Sequence, residues 1–280
     1  MKECAKRLRR GMAWLFILCL CLAIQLLLLE GGLRLGGYGT TTRFLLRIDT
    51  PAGTFHAPNR AFYQQFSALP LDRIMTWDTL DFQAPSKKGA DVFRIFVLGS
   101  SAIYGPHTSS RILEAMLRDA MPHVRWEVYN AACPGMNSHV MQAAARALVA
   151  LEPDLFLVYM GNNEAVGPFG PTTLLARNRP LWRPAIIRAL IAANDLRTVQ
   201  LMRNLRADTH FNLPEPDALM SALPGMTGHA KALSHYEKNI ERILKLARDA
   251  DAHTLLCTLS GNKRYMGKSS LRTPMTMCRA

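Results

Sequence analysis

At 280 residues the chain has room for one α/β domain of about 150 to 250 residues with an anchoring segment besides. Its 49% hydrophobic and 20% charged residues argue against both a disordered chain and a polytopic membrane protein. The formal charge of +13 would suit a nucleic acid or an anionic surface, yet no zinc-finger spacing or RNP-like aromatic motif accompanies it, so nucleic acid is not an expected partner.

Lys2, Lys6, Arg7, Arg9 and Arg10 form a basic tail over residues 1–11. Met12 to Leu29 reads MAWLFILCLCLAIQLLLL, with Gln25 its only strongly polar member, and Gly31 to Leu33 extend the run past Glu30. At ~1.5 Å per residue this length matches a bilayer's hydrocarbon core, so residues 12–33 are expected to be a single transmembrane anchor. A cleaved signal peptide is the rival, but the run exceeds the usual ~7–15 residues and no clear A-x-A site follows it. The basic tail favours a cytoplasmic N-terminus and a domain on the extracytoplasmic side of the membrane.

Residues 34–90 mix Gly, Pro, Thr and aromatics without sustained periodicity and read as a membrane-proximal stretch of short strands or loops. Residues 91–260 carry a different pattern. Phe93 to Leu98 is an apolar run rich in strand formers that ends at Gly99. A helix is expected over 110–121, where Ile112, Leu113, Met116, Leu117 and Ala120 share a face and Pro122 follows. Then come a strand at Trp126 to Tyr129, an Ala-rich helix over 138–151 and a strand at Leu155 to Met160. Segments 184–206 and 227–249 can each hold a helix, and Thr254 to Leu259 resembles a fourth strand. Alternation of this kind implies a parallel sheet flanked by helices, because parallel neighbours need helical crossovers.

Three strand ends carry small polar motifs: Gly99 to Gly105, Asn130 to Asn137, and Gly161 to Glu164. In such a sheet ligands gather at the carboxyl ends of the strands. A serine at a strand-to-helix turn exposes its hydroxyl, glycine lets backbone approach a ligand, and an asparagine amide can stabilise an oxyanion. These are parts of an acyl-transfer site. Cys133, Cys257 and Cys278 lie beyond the apolar run, with Cys4, Cys19 and Cys21 before or within it; they form no disulfide framework and no C-x-x-C metal spacing.

From Phe93 to Gly170 the chain resembles the first three conserved blocks of the SGNH, or GDSL-like, serine hydrolases. The resemblance places the nucleophile on Ser101, between Gly99 and Gly105, with Ser100 where the family has Asp. It places one oxyanion N–H on Gly135 and the oxyanion amide on Asn163, with Glu164 where Asp is usual. It implies a three-layer, flavodoxin-like α/β fold and a carboxylic ester (O-acyl) substrate on a small molecule, lipid or polysaccharide. No metal or organic cofactor is implied. SGNH-type O-acetyltransferases and a non-catalytic anchored module are the alternative readings.

The family's last block, Asp-x-x-His, has no counterpart here. His56, His107, His123, His139, His210, His229, His235 and His253 all precede its expected place, and each reads as a solvated or structural imidazole. The basic, weakly periodic segment 261–280 gives the domain the look of one truncated or frameshifted at its C-terminus, with impaired activity as the expectation.

Overall fold

The computed structural model describes residues 2–66, 82–104, 109–170, 183–205 and 226–258. In chain order these form helix α1 (Lys2–Leu35), strands β1 (Leu45–Thr50) and β2 (Gly53–Pro58), helix α2 (Arg60–Gln64), and strands β3 (Ala84–Pro85) and β4 (Val92–Gly99). Helix α3 (Ser109–Ala120), strand β5 (Arg125–Asn130), helix α4 (Ser138–Leu148) and strand β6 (Leu155–Tyr159) follow. Helices α5 (Pro184–Ala193), α6 (Arg197–Leu205) and α7 (Met226–Asp249) precede strand β7 (His253–Leu256).

β4 is central because its sequence, VFRIFVLG, can be buried on both faces. It pairs in parallel with β5 on one side and β6 on the other, and β6 pairs in parallel with β7, giving the order β5-β4-β6-β7. The chain lays β5 on one side of β4 and then β6 and β7 on the other, so the order in which strands are added reverses between β4 and β6, the place where such a sheet opens a crevice at its carboxyl ends.

Successive side chains leave a strand on opposite faces. Ile95 and Val97 pack with Trp126, Val128 and the inner side of α3, through Leu117. Phe96 and Leu98 pack with Phe156 and Val158, then with Val140, Met141 and Leu148 of α4 and Ile240 and Ile243 of α7. Helices cover both faces, as the alternating pattern requires.

Arg94 points into this core and is wholly buried. It persists because its Nε donates to Glu127, its register partner on β5, at 2.8 Å, and its guanidinium also donates to the Pro85 and Leu151 carbonyls at 3.1 and 2.6 Å.

The stretch before the domain is an antiparallel sheet, β1-β2-β3, followed within it by an unexpected helix, α2, after β2. Phe62 and Tyr63 of α2, with Phe66 beyond it, enter the same core as α4, and the Tyr63 hydroxyl donates to the Ala131 carbonyl at 2.9 Å. The 184–206 segment, read as one helix, is two. Asp195 breaks it because its carboxylate accepts from Thr42 N at 2.8 Å and Thr41 Oγ1 at 3.0 Å, an upstream partnership that a continuous helix would forfeit. Likewise the helix expected over 138–151 ends at Leu148, tightens into a turn at Val149–Leu151, and stops where Glu152, before Pro153, takes a φ of 52°.

α1 is long and apolar enough over Arg10–Leu35 to cross a membrane. Its residues 10–29 are exposed, and only from Glu30 onward does it meet the domain. The segment 261–280, residues Gly105 and His107, and His210 lie outside the described residues.

Candidate active site

The carboxyl end of β4 turns sharply at Gly99. A Cβ there would stand 2.7 Å from the Tyr159 carbonyl oxygen and would collide with the Ile103 side chain, so only glycine passes. Ser100 and the short turn Ser101–Ile103 follow, closed by Ile103 N donating to Ser100 O at 3.2 Å. The two serines are sorted by this turn. Ser100 is buried, and its hydroxyl donates to Asn162 Oδ1 at 2.7 Å, tying the loop after β4 to the loop after β6. Ser101 is exposed, and its hydroxyl bonds to no other described residue.

The loop after β5 runs alongside. Ala131 N donates to Val97 O at 2.9 Å and Cys133 N to Gly99 O at 3.2 Å, so this loop continues the pairing past the strand's end. Asn130 fixes the Ser101 turn from below: its Nδ2 donates to Ile103 O at 2.8 Å, and its Oδ1 accepts from Ala132 N at 2.9 Å. Gly135 is exposed with a φ of 73°, a conformation that favours glycine, and its N–H donates to no described residue.

The loop after β6 closes the third side. Gly161 has a φ of 140°, which sends the chain back across the sheet edge. Asn163 Nδ2 donates to Met136 O at 3.1 Å, pinning this loop to the Gly135 turn. A primary amide carries two N–H donors, so that bond leaves one for a ligand. Asn137 Nδ2 reaches across to Pro168 O at 2.8 Å, and Gly167 lies so close that a Cβ would fall 2.9 Å from that of Asn137.

Three loops that carry Ser101, Gly135 and Asn163 are thus bound to one another at one sheet edge, beside the β4/β6 crevice. No hydrogen bond runs directly between the three residues; each loop is held through a neighbour, by Ser100 to Asn162, Cys133 to Gly99 and Asn163 to Met136.

Behind them lies a polar network that sequence reasoning did not reveal. Glu164 is buried, and its two oxygens accept from Ser138 N at 3.0 Å and Ser138 Oγ at 2.6 Å, at the first residue of α4. A helix N-terminus favours a carboxylate there, but burial pushes the Glu164 carboxyl up to about 7 against those hydrogen bonds. Asn239 Nδ2 donates to Ser138 Oγ at 2.9 Å and to His139 Nδ1 at 3.0 Å. With Nδ1 accepting, His139 carries its proton on Nε2 and gives it to His235 Nδ1 at 3.2 Å. Burial, with the adjacent His235 and Arg188, holds His139 down to about 3. His139 and His235 are therefore structural. His56 pairs with Ser86 Oγ at 2.9 Å, and His253 is exposed on β7. Among the described residues no imidazole hydrogen-bonds Ser101, and no group of His, Cys, Asp and Glu could hold a metal ion.

The chain is similar to SGNH-type esterases of known structure. TesA matches at 19% identity over 57% of this chain and 76% of its own, with a TM-score of 0.27. The psychrotrophic esterase EstA from Pseudoalteromonas sp. matches at 17% identity over 64% and 86%, with a TM-score of 0.28. AlinE4, an SGNH-hydrolase family esterase, matches at 18% identity over 60% and 77%, with a TM-score of 0.26. No family model and no curated protein matches the chain. At this distance a likeness says nothing of any one residue's role.

A shallow cleft of about 450 Å³ lined by Asp91, Arg118, His123 and Arg125 lies at the opposite, amino-terminal end of the strands. Ligands of open α/β sheets collect at the other end.

Proposed function

We propose that the chain is a membrane-anchored serine hydrolase of the SGNH type that cleaves carboxylic ester (O-acyl) bonds. The observation that carries the reading is the sorting of the two serines. Ser100 is consumed by a buried bond to Asn162, while Ser101 stands exposed at the carboxyl end of the central strand, at the crossover where ligands of such sheets bind.

In this reading Ser101 Oγ attacks the ester carbonyl, and the negative charge develops on the carbonyl oxygen. The Gly135 N–H and the second N–H of Asn163 stabilise that oxygen as donors already fixed in place. The alcohol leaves with a proton, the acyl group stays on Ser101 Oγ, and water then releases the acid and regenerates the serine. With no described imidazole bonded to Ser101, the reading leans on oxyanion stabilisation and binding, which by themselves give ~10³–10⁴-fold acceleration over water. The substrate class is an acylated small molecule, lipid or polysaccharide. The basic residues in the first turns of α1 favour placing the domain on the extracytoplasmic side.

Hydrolysis of p-nitrophenyl acetate by the full chain in detergent tests this. Turnover above buffer that disappears in Ser101→Ala supports the reading. Turnover equal to buffer, or unaffected by Ser101→Ala, rejects it.

A further inference from the structure

We propose that the apolar side of α5, with the exposed apolar residues at and after the α5–α6 turn, rests in the interfacial layer of the bilayer that α1 spans. This rests on reading α1 as a membrane-spanning helix.

Composition is the first argument. α5 reads PAIIRALIAA, with Arg188 its only polar side chain, yet only Ile187 is buried. Ile186 and Leu190 are 48% and 44% exposed, and Ala185 and Ala189 beside them are exposed too. A helix apolar on all sides belongs in apolar surroundings, which water does not supply. At ten residues, ~15 Å, α5 is about half of what a span needs, so it would lie along the surface rather than cross.

Placement is the second. Glu30 is the first charged residue after the exposed apolar run of α1, and it is bonded into α6: it accepts from Arg197 N at 3.0 Å, Thr198 N at 2.9 Å and Thr198 Oγ1 at 3.0 Å. One turn later, Arg34 donates to the Asp195 carbonyl in the α5–α6 turn at 3.1 Å. No flexible linker separates span from domain. The point where α1 leaves hydrocarbon is the point where α6 begins and α5 ends. Leu196, Met202 and Leu205 are exposed in the same region. Arg34 and Arg43 flank Asp195 there, with long side chains suited to the headgroup layer.

A control is built into the fold. Ile112 and Met116 of α3 are at least as exposed as the α5 residues, but α3 covers the opposite face of the sheet from Ile187. Exposure alone predicts the same behaviour for both; proximity to α1 predicts that they differ.

The test places the photo-crosslinker p-benzoylphenylalanine singly at Leu190, Met116 or Leu22 in the full chain. The protein is reconstituted in vesicles of phosphatidylcholine and phosphatidylglycerol, irradiated, and read by mass spectrometry for phospholipid adducts. The proposal expects adducts at positions 22 and 190, with several-fold less at 116. Adducts at 22 with position 190 no higher than 116 would overturn the α5 proposal while leaving the spanning helix intact. No adduct at 22 would reject the span itself, and the proposal with it.

Discussion

Replacing Glu164 by Gln isolates the buried network behind the candidate site. The substitution keeps both contacts to Ser138, since Gln Oε1 can accept from Ser138 N and Nε2 can donate to Ser138 Oγ, but removes the proton. Glu164 holds its proton more tightly folded than unfolded, so its contribution is complete below its ordinary value of 4.5 and vanishes as pH rises through about 7. That difference corresponds to roughly 3 kcal/mol. His139 works in the opposite sense. It is neutral when folded and protonated when unfolded, so its contribution is complete above 6.5 and is lost as pH falls toward about 3. Between pH 4.5 and 6.5 the two slopes, each approaching ~1.4 kcal/mol per pH unit, oppose one another and nearly cancel in the parent chain. Glu164→Gln leaves His139 unopposed. Urea unfolding of the full chain in dodecyl maltoside, followed by tryptophan fluorescence, should show the variant about equal to the parent at pH 4.5 and about 3 kcal/mol more stable at pH 8. A stability difference that does not change with pH would refute the assignment of Glu164 as a buried, proton-holding carboxyl.

Other perturbations reach different parts of the account. Asn163→Ala should lower kcat for p-nitrophenyl acetate by ~10²–10³-fold, the usual effect of one oxyanion donor, while costing only about 1 kcal/mol of stability for the bond to Met136. Steady-state kinetics and urea unfolding on the same preparation separate the two. Arg94→Met strands the Glu127 carboxylate and the Pro85 and Leu151 carbonyls and should cost about 3–5 kcal/mol, seen as a large drop in Tm. Glu30→Ala removes the acceptor at the start of α6 and should cost about 1–2 kcal/mol locally; hydrogen exchange at Arg197 and Thr198 should speed up while β4 and β6 stay protected.

What was legible in the sequence followed short-range physics. The apolar runs of β4, interrupted only by Arg94, and of β6 announced buried strands, and the glycines after them announced turns at one sheet edge. Side-chain partners far apart in sequence were not legible. Ser100 looked like a departure from a family pattern, and its bond to Asn162 becomes visible only once both loops share an edge. Glu164 looked like a modest substitution, yet it caps α4 through Ser138. Glu30 looked like an interruption of an apolar run, whereas it is the acceptor that starts α6. α2 escaped notice because RAFYQ is too short for a helical period, although Phe62 and Tyr63 fill the core. The break at Asp195 depended on Thr41 and Thr42, more than 150 residues upstream.

The central claim is that Ser101, and not its buried neighbour Ser100, is a nucleophile. Treating the full chain with a fluorophosphonate and mapping the modified peptide by tandem mass spectrometry addresses it directly. The account predicts one phosphonyl group on Ser101 Oγ, absent from Ser101→Ala. An unmodified chain, or an adduct on Ser100 or on any other serine, would contradict it.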